Sequence, residues 1–328
     1  MTLRRVVRAL GLALGALLLV ALAAFALLRV PDTDAVAMRA KYGGAPSRFV
    51  HLGGQAVHLR DTGPRDAPAL VLLHGSNAFL QTWEPWAGRL DKRYRVIRLD
   101  LPGHGLTGSS PTRAYTTEDY AALVEQLRAR LGIERIAIGG NSMGGGVAPA
   151  YTLAHPDRVG ALVLVDSVGE PDPRYADAPL IFRIARLPVL RDIGARLTPR
   201  SLIADSLPGA YGDRQLATPE LVDRYWELLR FPGNRQATID RFALKPFALT
   251  AADLAHVRAP TLILWGEADR LIPLSSGRWL AENIPGARLV TYPGAGHLPQ
   301  EERADATAAE VARFLNQAAL FRAEAGRR

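Results

Sequence analysis

The stretch IAIGGNSMGGGV, residues 136–147, sets a short apolar run against a serine flanked by glycines. Gly140-Asn141-Ser142-Met143-Gly144 matches G-x-S-x-G, follows the apolar Ile136–Ile138 directly and precedes a helical pattern over 145–154 that stops at Pro156. That strand–turn–helix context is what the motif requires. A sharp turn there forces the serine into strained backbone angles, and glycines at 140 and 144 remove the side chains that would collide. The hydroxyl then stands clear of the sheet, and the N-terminus of the following helix favours negative charge developing beside it. Ser142 is therefore the expected nucleophile.

Outward from this turn, apolar runs alternate with helical patterns. Residues 48–52 and 55–61 alternate in polarity around Gly53-Gly54, as in a β-hairpin. A continuous apolar run at 69–73 and apolar-rich runs at 95–99, 135–138, 161–165 and 261–265 read as strands buried on both faces, with a further candidate strand at 289–292. Between them, Thr116 and Asp119 form a capping box ahead of a helix that carries Tyr120, Leu123, Leu127 and Leu131 on one face. The alternation predicts an α/β fold, a mostly parallel sheet with helices on both faces, over residues 47–320. Between about residues 170 and 250 no buried strand is evident, and a gap of roughly 80 residues is too long for a plain loop. It reads as a helical cap insertion over one end of the sheet. Leu180, Ile181, Phe182, Leu187, Tyr225, Trp226 and Phe231 are its candidates for enclosing an apolar substrate group.

A serine hydroxyl needs a base. Of the seven histidines, His297 sits in a loop after the last strand and before the C-terminal helix. His51, His58, His155 and His256 read as structural or solvated, His104 belongs to a turn, and His74 ends a strand where it braces the next loop. The acid should lie between nucleophile and histidine in chain order. Asp269, just past the strand at 261–265, fits, with Asp166 and Glu267 as rivals. The oxyanion hole needs two converging amides. Met143 supplies one and Ser76 the other, with Asn77 as the second choice.

These residues together resemble the α/β-hydrolase family, through HGSN (74–77), DLPGHG (100–105), GNSMGG (140–145), GEADRLIP (266–273) and GAGHLPQEE (294–302). The resemblance implies an eight-stranded sheet, a cap after the sixth strand and a Ser–Asp–His triad that uses no cofactor. Family members that are dehalogenases or epoxide hydrolases carry aspartate at the nucleophile position, and Ser142 argues against both. Meta-cleavage carbon–carbon hydrolases share the elbow, but many carry tryptophan after the histidine, where this chain has Leu298. A carboxylesterase-like activity on a small-molecule ester is the first expectation. A meta-cleavage hydrolase and a non-catalytic ligand-binding receptor on the same fold are the alternatives.

Composition narrows the remaining classes. The chain of 328 residues has no cysteine, which excludes disulfides, thiolate catalysis and cysteine-ligated metals. Four of the charges behind its net +8 are Arg4, Arg5, Arg8 and Arg29, flanking an apolar run. No basic stripe with interleaved aromatics is present, so no nucleic-acid partner is expected. Residues 9–28 carry no charge and, at about 20 residues, suffice to cross a ~30 Å hydrocarbon core. Residues 1–30 therefore read as a membrane anchor, with the catalytic domain outside the cytoplasm by the positive-inside tendency. A signal segment cleaved near Ala24-Phe25-Ala26, leaving an exported protein, is the alternative. Residues 31–46 read as a tether, and no protein partner is indicated.

Overall fold

The computed structural model describes residues 3–169, 194, 196–244 and 248–318. Its chain begins with α1 (Leu3–Leu28), followed by α2 (Ala35–Tyr42). The hairpin β1 (Ser47–Leu52) and β2 (Gln55–Thr62) leads to β3 (Ala69–Leu73), α3 (Glu84–Leu90), β4 (Arg95–Leu99) and α4 (Thr117–Arg130). Next come β5 (Ile136–Asn141), α5 (Met143–Ala154) and β6 (Val159–Val165). The described part of the insertion holds α6 (Arg200–Ser206), α7 (Pro219–Leu229) and α8 (Asn234–Ala243), and α9 (Ala251–Leu254) leads back to the sheet. The chain closes with β7 (Thr261–Gly266), α10 (Leu274–Asn283), β8 (Arg288–Tyr292), α11 (Pro299–Glu302) and α12 (Ala304–Gln317).

The eight strands form one sheet in the order β1-β2-β4-β3-β5-β6-β7-β8. β1 and β2 pair antiparallel, as do β2 and β4, and every later pairing is parallel. Strands β3 to β7 are buried throughout because helices cover both faces. On one face Leu123, Val124 and Leu127 of α4 and Val147 and Tyr151 of α5 pack on Val71, Ile138 and Leu164. On the other, Trp86 of α3 and Val311, Phe314 and Leu315 of α12 pack on Leu72, Val163 and Leu262. The Trp86 indole donates to Thr307 Oγ1 at 2.8 Å, so the ring is buried without an unmet polar group. At α4, Thr116 and Asp119 make the reciprocal capping box. At α7, Thr218 accepts from the Leu221 amide ahead of a proline in the first turn.

Two features lie at the N-terminus. Among the described residues one helix, Arg4–Leu28, is long and apolar enough to cross a membrane, and none of its most apolar stretch is buried in the protein. Residues 31–46, where Pro31, Gly43, Gly44 and Pro46 suggest only a tether, contain α2. Asp34 caps it, accepting from the Ala37 amide at 2.7 Å. Met38 packs with Phe79, Leu106, Leu228 and Phe231. Arg235 of α8 holds the preceding segment, donating to Val30 O at 2.8 Å and to Asp32 Oδ1 at 2.6 Å. Lys41 and Tyr42 both donate to Glu227 of α7. The short helix escapes a sequence reading because a single buried methionine carries its packing.

Candidate active site

The turn after β5 holds Ser142 at φ 53°, ψ −119°, and the side chain is partly exposed while Asn141 beside it is buried. The elbow tolerates no Cβ at its glycines: one on Gly140 would lie 2.1 Å from Gly144 O, and one on Gly144 would lie 2.3 Å from Leu73 O. β3 and the helix after Ser142 thus approach to backbone contact. Met143 begins α5, so its amide lies in the unsatisfied first turn of a helix.

Three loops meet this turn. After β3, Gly75 lies so close that an added Cβ would be 3.1 Å from Ser142 Cβ. His74 braces that loop. Its Nδ1 bonds Gly75 O at 2.8 Å and its Nε2 accepts from the Leu101 amide at 3.0 Å, so it is neutral, and burial holds it below the usual histidine range. Asn77 adopts φ 58°. Among the described residues no acceptor is bonded to the amides of Ser76, Asn77 or Met143.

After β7, Asp269 is fixed at both oxygens. Oδ1 accepts from the amides of Leu271 and Ile272, at 2.7 and 3.1 Å, and Oδ2 lies 2.7 Å from His297 Nδ1. That pairing leaves Nε2 as the free ring nitrogen of His297. The histidine loop is itself held: the His297 amide donates to Ala210 O at 2.8 Å, and its carbonyl accepts from Asn141 Nδ2 at 3.0 Å. The residue before the serine therefore ties the histidine loop to the elbow.

Among the described residues the imidazole bonds Asp269 and neither Asp166 nor Glu267. Glu267 accepts from Thr291 at the surface. Asp166 ends β6 at φ 42°, fully buried, with Oδ1 accepting from the Gly266 amide at 3.0 Å. Burial, and then the charge of Asp269, push it well above the usual carboxylate range.

Cap side chains that no motif announces also reach the site. Arg241 of α8 donates to Ser76 Oγ at 2.8 Å, Asn77 Oδ1 at 3.0 Å and His104 Nε2 at 2.7 Å. Burial first, then Arg241, hold His104 well below the usual histidine range. Tyr211 donates to Glu301 Oε2 at 2.9 Å, four residues after His297. Of the cap residues suggested by sequence, Phe231 packs beneath α2, Tyr225 packs on Phe79 with its ring tilted by 55°, and Trp226 donates to Thr198 O under the Arg230 guanidinium. Leu180, Ile181, Phe182 and Leu187 lie outside the described residues.

Comparison with known proteins places this arrangement. The family described as alpha/beta hydrolase fold matches residues 68–304. A 2-hydroxy-6-oxononadienedioate/2-hydroxy-6-oxononatrienedioate hydrolase of Escherichia coli is 31% identical over 285 residues, 83% of this chain and 96% of that one. A solved meta-cleavage product hydrolase from Pseudomonas fluorescens superposes with a TM-score of 0.72 at 26% identity, over 83% of this chain and 98% of that one. A membrane phospholipase A, described as a bacterial virulence factor, superposes at 0.69 with 27% identity, over 96% of this chain and 97% of that one. With its sheet, elbow and cap, the chain belongs to the α/β-hydrolase fold family.

Proposed function

We propose that the chain is a membrane-anchored serine hydrolase that cleaves carboxylic esters through an acyl-enzyme. The observation that carries this is the oriented imidazole: Asp269 Oδ2 at 2.7 Å from His297 Nδ1, with the histidine loop pinned to the elbow that presents Ser142. In this mechanism Ser142 attacks the ester carbonyl while His297 Nε2 takes its proton. Asp269 holds the tautomer and stabilises the imidazolium. Amides of Met143 and Ser76 hold the oxyanion. His297 then protonates the leaving alcohol and activates the water that releases the acid.

The ester reading draws support from Leu298 after the histidine and from the apolar helix Arg4–Leu28. The membrane phospholipase, whose likeness extends over 96% of this chain, points the same way and makes lipid esters the first substrates to try. The helix would anchor the protein with its catalytic domain outside the cytoplasm. Carbon–carbon bond hydrolysis is the second reading, favoured by relatives named as oxononadienedioate hydrolases at 31% identity.

The test uses full-length protein in detergent, with p-nitrophenyl esters of increasing acyl length, phospholipid vesicles, a 2-hydroxy-6-oxo-dienoate and a fluorophosphonate label. Sustained ester turnover and labelling, both lost in Ser142→Ala, are expected. Turnover of the dienoate without the esters would replace the first reading by the second. Stoichiometric labelling without turnover of any substrate would favour a receptor.

A further inference from the structure

Asp166 is a buried carboxyl that the proposed mechanism leaves unused. One oxygen each from Asp166 and Asp269 and a ring nitrogen of His297 lie within 4.8 Å of one another. Asp166 Oδ1 is satisfied by the Gly266 amide at 3.0 Å, whereas Oδ2 is buried with no hydrogen-bond partner. The charged groups acting on Asp166 are the carboxylates of Asp269 and Glu302. Among the described residues no cation is bonded to it. Two carboxylates within 4.8 Å of each other, both side chains buried, cannot both ionise without a large penalty. Asp269 keeps its charge, because two amides and the imidazole N–H point at it. The proton therefore belongs on Asp166, and a carboxylic O–H there satisfies the orphan atom.

We propose that Asp166 is a positioning residue that stays a neutral carboxylic acid, its Oδ2–H donating to Asp269 while its Oδ1 accepts from the Gly266 amide. The arrangement adds one more donor to an Asp269 carboxylate already held by two peptide amides and the imidazole. It also places a hydrogen-bond donor, not a second charge, behind the pair that orients the histidine. The backbone supports the placement: at φ 42° Asp166 occupies a region that non-glycine residues rarely adopt, and it sits where β6 leaves the sheet beside β7. Direct contact with the imidazole is the job of Asp269. Asp166 acts through it.

The inference rests on the proposed Ser142–His297–Asp269 mechanism, and Asp166→Asn separates the two. An asparagine there keeps the acceptor, the donor and the net charge. We expect kcat/KM on a p-nitrophenyl ester within about threefold of wild type, and an acidic limb of the pH profile moved by less than about 0.3 unit. Asp166→Ala removes the donor, lowers kcat/KM roughly tenfold or more and raises the acidic limb, because an unshared Asp269 charge favours the imidazolium. The inference fails if Asp166→Asn drops the limb by about a unit or more, the sign of a lost buried negative charge. It fails equally if Asp166→Ala costs stability but leaves limb and kcat/KM in place, which would be a merely structural role. Should the alanine variant not fold, infrared spectra at pH 8 decide. The stretch of a protonated carboxyl should be present in wild type and absent in Asp166→Asn, and its absence from wild type overturns the assignment. That readout needs no turnover, so an inactive wild type would count against the proposed function and leave the inference still decided by the spectrum.

Discussion

Replacing Glu301 with glutamine should stabilise the protein at pH 8 and leave it unchanged near pH 4.5. Glu301 lies at the seam between cap and sheet, accepting from Tyr211 of the cap at 2.9 Å and from Thr82. Burial raises its carboxyl, and the two hydrogen bonds offset this only in part, so it titrates at about 6 instead of the ordinary 4.5. The sign follows from the raised value. Below about 4.5 folded and unfolded chains both carry the proton, and the contribution to stability is full. Between 4.5 and 6 the unfolded chain ionises while the folded one resists, and stability is lost as the pH rises. Each tenfold difference in proton affinity is about 1.36 kcal/mol, so the whole loss is roughly 2 kcal/mol above pH 6. Glutamine is neutral at every pH and keeps one acceptor, and the Tyr211 hydroxyl can turn to accept from its amide. The assay is thermal unfolding of the full chain in detergent at a series of pH values. Glu301→Gln should melt roughly 4 °C or more above wild type at pH 8, the gap closing by pH 4.5. A gap of the same size at every pH, or a variant less stable than wild type at pH 8, would refute the reasoning.

Four further outcomes are expected. Asp269→Asn should lower kcat by roughly 10³–10⁴ with the fold intact, since the imidazole loses its orienting charge; steady-state kinetics showing less than a tenfold loss would reassign the acid. Gly144→Ala should cost roughly 3 kcal/mol, because the new methyl meets Leu73 O at 2.3 Å, and it should lose labelling, while Gly88→Ala, with nothing within 4 Å, serves as the silent control in the same melts. Arg235→Ala should open residues 29–34 to limited proteolysis severalfold faster, by removing the bonds to both Val30 O and Asp32; digestion at the wild-type rate would show that the clamp holds nothing. Glu125 is held down to about 2, chiefly by its Arg128 bond, so its stabilisation is present above pH 4.5 and disappears as pH falls towards 2. After allowance for solvent screening, Glu125→Gln should destabilise by about 1 kcal/mol at neutral pH, with the gap narrowing in acid unfolding curves.

The centre of the sheet was legible because strands β3 to β7 are buried on both faces, whereas the edge strand β8 is half exposed. Runs such as Ala69–Leu73 and Thr261–Gly266 have no polar face to disguise them, and each is followed by turn residues. The elbow was legible because a strained turn between strand and helix demands glycine at fixed offsets from Ser142. Local chemistry also announced the capping box at Thr116 and the start of α7 at Thr218. Other features depend on residues far apart in the chain. Asp166 and Asp269 both follow core strands, and spacing gives each a claim on His297. Tertiary packing alone sets Asp269 Oδ2 at 2.7 Å from the imidazole and leaves Asp166 behind it, bonded to Gly266. Arg241 carries no motif, yet the fold of the cap brings it from 164 residues along the chain onto Asn77. The helix at 35–42 likewise forms where Asp34 caps it and where Met38 finds a pocket built by β-loop and cap residues. Sequence by itself determined what recurs with a short period or a fixed local offset, namely strands, caps and the serine turn. Which distant side chains share a hydrogen bond was decided only when the sheet and cap closed around them, because contact between such groups depends on the path of the whole chain.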